Sequence, residues 1–419
     1  MKAAIRFKLS AMMFLEFFVW GAWFVTLGTY LSANLQATGS QSAAAFATQS
    51  FGAIIAPFII GLIADRYFNA EKILGILHLL GAALMYKMYC SSDFAAFYPY
   101  VFIYMIVYMP TLALVNSVSF NQMKNPEKEF GFIRAFGTLG WIVAGLLISF
   151  AFHWDSEESL KAGLLKNTFL MTSIASLVLG LFSFALPKTP PKINKEEKVK
   201  LSSMLGLDAL KLLKDKNYII FFIASVLICV PLAFYYQYAN PFLVDAGLDN
   251  ATGKMTFGQM SELLFMLLLP VFFSKFGLKK TLILAMAAWV VRYLLFANGN
   301  AHGLSFMFIT GIALHGLCYD FFFVTGQIYT DNKAGEKYKS AAQGLITLAT
   351  YGVGMLVGFY IAGLIKDAYT TPTATDWHQI WTIPAIIAAA VLLLFIIFFK
   401  EKKNTSSISS SNDIPTYAE

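Results

Sequence analysis

Residues Pro187–Lys216 read PKTPPKINKEEKVKLSSMLGLDALKLLKDK, the one long polar stretch in a chain of 419 residues. Pro190 and Pro191 followed by the mixed-charge run Lys195–Lys200 break any helix and mark a linker. Six apolar runs precede it, at 9–33, 43–64, 72–91, 97–122, 131–152 and 165–186. Six follow, at 217–244, 256–275, 280–298, 303–330, 340–365 and 378–400. Each is close to the roughly 20 residues a helix needs to cross a bilayer. The pattern predicts an all-α membrane protein of twelve transmembrane helices in two six-helix bundles, 1–186 and 217–403, joined by the linker 187–216. The tail 404–419, rich in Ser and Asn, is expected to be disordered.

Composition agrees. Hydrophobic residues make up 58% of the chain and charged residues 13%, about half the roughly one quarter that soluble domains carry. The net charge of +7 is distributed by topology, so it is not read as a nucleic-acid signal. With the N-terminus in the cytoplasm, that side collects 24 of the 31 Lys and Arg, and the outer loops hold only Lys161, Lys166, Lys254 and Lys366. Both termini are therefore expected inside. The run after Lys2, Arg6 and Lys8 is too long for a signal peptide and reads as the first span. Cys90, Cys229 and Cys318 are scattered in apolar stretches, with neither disulfide nor metal spacing, and read as small buried hydrophobes.

Ionisable residues inside spans are costly and are functional candidates by default. There are few: Glu16 in span 1, Arg134 in span 5, Glu262 in span 8, Arg292 in span 9 and Asp320 in span 10. Helical spacing puts Glu16, Trp20 and Trp23 on one face, and Arg134, Thr138 and Trp141 on another. Gln259 and Glu262 are one turn apart, and His315 stacks under Tyr319 with Asp320 beside it. Flat aromatics, amides and hydroxyls suit a ligand with a stackable ring and several hydrogen-bonding groups. Pairing of Glu16 with Arg134 competes evenly with direct substrate contact. Arg292 is expected to pair with Glu262 or Asp320. His78 and Lys87 read as helix-end or snorkelling residues. Gly137, Gly140, Gly354 and Gly358 read as points of close helix approach. Gly247–Lys254 has the wrong spacing for a Walker A motif and is followed by Met255, so ATP-driven transport is disfavoured. No catalytic constellation is visible, and neither a metal nor another cofactor is expected.

Two six-helix halves with a basic cytoplasmic linker resemble the major facilitator fold, and Gly61, Asp65, Arg66 and Lys72 resemble its Gly-x-x-x-Asp-Arg loop signature. A narrower resemblance runs from about Phe14 to Phe399. It rests on Trp20-Gly21-Ala22-Trp23 with Thr26-Leu27-Gly28-Thr29-Tyr30, and on Tyr108-Met109-Pro110-Thr111-Leu112 ending at Asn116. It continues in Ile133-Arg134, Gly137-Thr138-Leu139-Gly140, Leu205-Gly206-Leu207-Asp208-Ala209, Gln259 with Ser261 and Glu262, Asp320-Phe321-Phe322, Ala342-Gln343-Gly344 and Asp376-Trp377. These resemble the nucleoside:proton symporters typified by enterobacterial nucleoside permeases.

The resemblance implies proton-coupled nucleoside import across a bacterial inner membrane; a monomer is expected, with nucleoside, protons and lipid as partners and no nucleic acid. It points to Arg134, Thr138, Trp141, Gln259, Glu262, Tyr319 and Asp320 as substrate contacts, to which Trp20 and Asn116 are added. Asp320, Glu262 and Glu16 are the candidates for carrying the proton. Two departures bear on selectivity. The family's polar pair in span 7 falls on Ala233 and Tyr236, and an uncharged amide expected in span 1 is Glu16. A proton-coupled sugar or glycoside carrier is the alternative within the class. A transport-dead sensor lacks the signalling domain it would need, and a membrane enzyme lacks a catalytic centre.

Overall fold

The computed structural model describes residues 2–59, 67–191, 207–335 and 338–400. Gly61, Asp65 and Arg66 of the loop signature, most of the linker and the tail 404–419 lie outside these residues.

The described chain is almost entirely helical. Before the linker come α1 (Ala3–Gly21), α2 (Gly39–Ile59), α3 (Ala70–Tyr89), α4 (Phe94–Asn121), α5 (Pro126–Leu146) and α6 (Asn167–Ser183). After it come α7 (Lys216–Asp245), α8 (Ala251–Asn298), α9 (Ser305–Ala334), α10 (Lys339–Ala368) and α11 (Trp377–Phe398). Among the described residues nine helices are long and apolar enough to cross a membrane. Carboxylates start several of them. Asp93 accepts from Ala96 N at 2.9 Å, Asp215 from Asn217 N and Tyr218 N at 3.0 Å each, and Asp376 from Gln379 N at 3.1 Å. Each fills donors that a helix N-terminus leaves unpaired.

Two boundaries differ from the sequence expectation. The first span does not run unbroken to residue 33. It pauses after Gly21 and resumes as Leu27–Thr29 and a π-turn at Tyr30–Asn34. The runs expected at 256–275 and 280–298 are both present as the two arms of α8, which meet at Gly277 (φ 74°, ψ 177°) with no loop between them. That combination is essentially restricted to glycine, so a single residue does the work expected of a loop.

Helices pack mainly within their own side of the linker. α1 packs on α5 and α6, and α3 on α4 and α6. α8 packs on α9 and α11, and α7 on α10 and α11. Close approach needs small residues. A methyl at Gly140 of α5 would come within 2.1 Å of the Phe14 carbonyl oxygen of α1. Among the described residues the main contacts that cross between the two sides are α2 on α10, α5 on α8, and the Leu27–Thr29 turn on α7.

These crossings are hydrogen-bonded at one end. Asp367 at the end of α10 accepts from Gly39 N (2.5 Å), Ser40 N (2.8 Å) and Ser40 Oγ (2.5 Å) at the start of α2. Asp155 accepts from Thr252 N at 3.0 Å, and Ser149 Oγ from Gly253 N at 2.6 Å, at the start of α8. Thr29 Oγ1 donates to Asn240 Oδ1 at 2.6 Å. One helix N-terminus on each side of the linker is thus capped by the other side. The chain is latched shut at this end.

Candidate functional site

Directly below the latch lies a narrow cavity with walls from both sides of the linker. Phe24, Val25, Trp141 and Gly145 line it from the first, and Tyr235, Tyr236, Thr252, Met255, Thr256 and Gln259 from the second. The lining is aromatic with a few polar groups, the chemistry of small-molecule sites. Thr252, Met255 or Thr256, Gln259 and Glu262 recur at helical spacing on α8, so one face of that helix supplies most of the polar wall. That periodicity was the available signal for Thr252 and Thr256, which the sequence reading passed over.

The candidate residues divide. Trp141 and Gln259 line the cavity itself. Trp20 stands behind Trp141, their rings 5.5 Å apart edge to face, and its indole nitrogen makes no hydrogen bond among the described residues. Trp23 shares a sequence face with Trp20 but is fully buried against Tyr104 and Phe169, away from the cavity. Thr138 and Arg134 lie one and two turns before Trp141 on α5, Arg134 with its guanidinium 4.1 Å over the Phe17 ring. Asn116 is half-buried on α4 and lines no described cavity. Of the departures, Tyr236 faces the cavity, whereas Ala233 is buried against Gly358 of α10. Asn240 is spent on the latch.

Three pairings differ from expectation. Glu16 does not pair with Arg134. Its carboxylate lies 2.8 Å from His78 Nε2 and accepts from Thr111 Oγ1 at 2.6 Å, all fully buried. His78 is accordingly neither a helix-end nor a snorkelling residue, because it sits mid-way along α3 at 2% exposure. Arg292 reaches neither Glu262 nor Asp320 directly. Its Nη1 donates to His315 Nδ1 at 3.0 Å, and its guanidinium lies 3.4 Å over the Tyr235 ring. An arginine has only donors, so His315 Nδ1 must accept and its proton sits on Nε2. That Nε2–H faces Glu262 Oε1 at 3.0 Å. One imidazole thus links the buried cation to the acid of α8. Cys90 is exposed, unlike the buried Cys229 and Cys318.

Asp320 opens a π-helical turn, Asp320–Val324, in the middle of α9. Such turns aim side chains that a regular helix would direct elsewhere. Asp320 is 2% exposed, and its Oδ2 makes no hydrogen bond among the described residues. It lies within electrostatic reach of Glu262 and of Arg134 across the interface. Its neighbour Tyr319 is hydrogen-bonded to the Tyr351 hydroxyl of α10. A buried carboxylate without a full set of partners is expensive unless it exchanges a proton or meets a ligand.

A chamber walled from both sides of the linker and closed at one end, in an almost all-helical apolar chain, fits a multi-pass membrane transporter of the major facilitator type. The family described as nucleoside H+ symporter matches residues 1–404, and the chain belongs to it. YegT of Escherichia coli (strain K12), named as a candidate nucleoside transporter, is 43% identical over 391 residues covering 91% of this chain and 90% of that one. The xanthosine permease of the same organism is 31% identical, covering 91% of this chain and 92% of its own. The crystal structure of nucleoside transporter NupG superposes with a TM-score of 0.84 at 27% identity, over 95% of this chain and 100% of that one.

Proposed function

We propose that the chain imports nucleosides together with protons by alternating access, crossing a bacterial inner membrane twelve times with both termini in the cytoplasm. The nine long apolar helices become twelve spans when α1, α3 and the second arm of α8 are added. The bundles are 1–186 and 217–403, with 187–216 as cytoplasmic linker and 404–419 as a cytoplasmic tail. On this topology the latch is the outer gate, and the structure is closed to the outside.

The observation that carries the reading is the unsatisfied Asp320 carboxylate at the interface, within reach of Arg134 and Glu262 and beside an aromatic chamber. A nucleobase stacks between rings such as Trp141 and Tyr236, and Gln259 offers an amide to its polar edge. Arg134, Thr138, Glu262 and Tyr319 receive the sugar and remaining polar groups. A proton on Asp320 removes the charge that would otherwise have to move through the apolar interior as the bundles rock.

The test is uptake of a labelled nucleoside panel in transporter-deficient bacterial cells, with and without an uncoupler. Uncoupler-sensitive accumulation, competed by uridine or adenosine and not by ribose, is expected. Accumulation that ignores the uncoupler would remove proton coupling, and competition by free ribose would reassign the chamber to a sugar carrier.

A further inference from the structure

The buried acid of α1 is not used by the mechanism above, and its surroundings are unusual for a static ion pair. His78 Nε2 faces Glu16 Oε2 at 2.8 Å. On the far side of the ring, Nδ1 lies 3.1 Å from Ser176 Oγ of α6, and that hydroxyl also lies 2.9 Å from the His78 carbonyl. On the far side of the carboxylate, Thr111 Oγ1 lies 2.6 Å from Glu16 Oε1 and 2.5 Å from the Tyr108 carbonyl. Each end of the pair is therefore closed by a hydroxyl that has a backbone carbonyl as a second acceptor. A hydroxyl carries one proton and turns to suit its neighbours.

Counting protons shows what this permits. With neither extra proton bound, Ser176 donates to Nδ1, Nε2–H donates to the Glu16 carboxylate, and Thr111 donates to Oε1. When His78 takes a proton on Nδ1, that N–H donates to Ser176 Oγ, and the hydroxyl turns to the His78 carbonyl. When Glu16 takes a proton on Oε1, that O–H donates to Thr111 Oγ1, and the hydroxyl turns to the Tyr108 carbonyl. All three states keep every hydrogen bond, so no buried polar group is stranded by loading or unloading. Asp320, by contrast, is left with an unpartnered oxygen.

Among the described residues, the other ionisable groups facing the pair are Tyr104 and Tyr108 on α4, with Arg134 on α5 acting on Tyr108. Tyr108 also connects the pair to the chamber. Its hydroxyl donates to the Glu16 carbonyl at 3.0 Å, and its ring meets Trp20 at 5.6 Å, which in turn meets the cavity-lining Trp141.

We propose that Glu16 and His78 form a second proton-binding site, in the N-terminal bundle, whose loading is coupled to occupation of the chamber through Tyr108 and Trp20. The coupling rests on the proposed nucleoside reading; the proton site does not.

Acid-minus-alkaline infrared difference spectra of the full-length protein in lipid nanodiscs test the site without any nucleoside. A protonated-carboxyl C=O band is expected that Asp320→Asn keeps and Glu16→Gln loses. His78→Asn and Ser176→Ala should keep the band but move the pH at which it appears by about one unit or more, the usual effect of a charge or hydrogen bond on a neighbouring carboxyl. A Glu16→Gln spectrum superimposable on wild type overturns the site. Should Glu16→Gln fail to assemble, an unmoved band in both His78→Asn and Ser176→Ala overturns it equally. Uridine added to Asp320→Asn should shift the same band, and a band that ignores bound uridine overturns the coupling. Wild-type protein that binds no nucleoside sinks the functional reading while leaving the pH-dependent band in place.

Discussion

Replacing Asp367 with Ala should open the latched end. The substitution removes three hydrogen bonds between α10 and α2, those from Gly39 N, Ser40 N and Ser40 Oγ at 2.5–2.8 Å. It also removes a negative charge from the N-terminus of α2, where the helix dipole favours one. Buried, each charge-assisted bond would be worth about 1.5–3 kcal/mol. Asp367 is exposed, however, and water replaces much of what is lost. A total of about 1–2 kcal/mol is the reasonable figure at such a site. Converted at about 1.4 kcal/mol per factor of ten, this shifts the ratio of outer-closed to outer-open protein roughly 5- to 30-fold. Spin labels at Gln36 and Thr371, on the two sides of the latch, read that ratio as a distance distribution. Asp367→Ala should gain or enlarge a longer-distance population, with the labelled wild type as reference. Superimposable distributions would refute the argument that these bonds hold the end shut.

Four further outcomes are expected. Arg134→Ala should lower nucleoside uptake by about tenfold or more, the worth of one charge-assisted hydrogen bond, with normal membrane insertion; unchanged affinity in the purified variant would remove Arg134 from the site. Asp320→Asn should lose accumulation against a gradient yet keep counterflow in proteoliposomes, while Glu262→Gln chiefly weakens binding; accumulation by Asp320→Asn would move coupling elsewhere. Because Tyr236 occupies the chamber where the family resemblance led us to expect a polar group, purine and pyrimidine nucleosides should be taken up unequally, and a flat profile across the panel contradicts this. Outside the spans, a hydrogen bond from Lys333 at 2.7 Å holds the Asp215 carboxyl below its ordinary range. Its contribution is present above the unfolded Asp value of about 3.9 and lost as pH falls through the lower folded value, so thermal unfolding of Asp215→Asn should converge with wild type at low pH.

The helices were legible because bilayer crossing imposes length and apolarity on every span, and the predicted runs fall within a few residues of α2 to α7. The break in α8 was legible too, since Gly277 falls in the gap between the two expected runs, although only the backbone angles show that one residue makes it. Within the site, spacing along one helix grouped Trp141 with Arg134 and Gln259 with Glu262. Partners across helices were beyond its reach. Glu16 finds His78 from α3 and Thr111 from α4, and Arg292 finds His315 from α9. Such choices are set by which faces meet in three dimensions, and periodicity within a single helix carries no information about that.

The joint at Gly277 has a mechanical meaning. A loop of several residues between two spans would let each move almost independently, since every residue adds two soft torsions. Here the first arm of α8, which lines the chamber and touches α5, is joined to the second arm, which carries Arg292, through a single non-helical residue. The ends of the two arms are therefore tied at one point, while the torsions of a glycine leave the angle between them free to change. The far arm brings the Arg292 guanidinium to His315 of α9, whose Nε2 faces Glu262 on the first arm, so a second tie joins the two arms within the span. Two ties, one through the chain and one through hydrogen bonds, thus keep the chamber wall and the charge behind its acid in register.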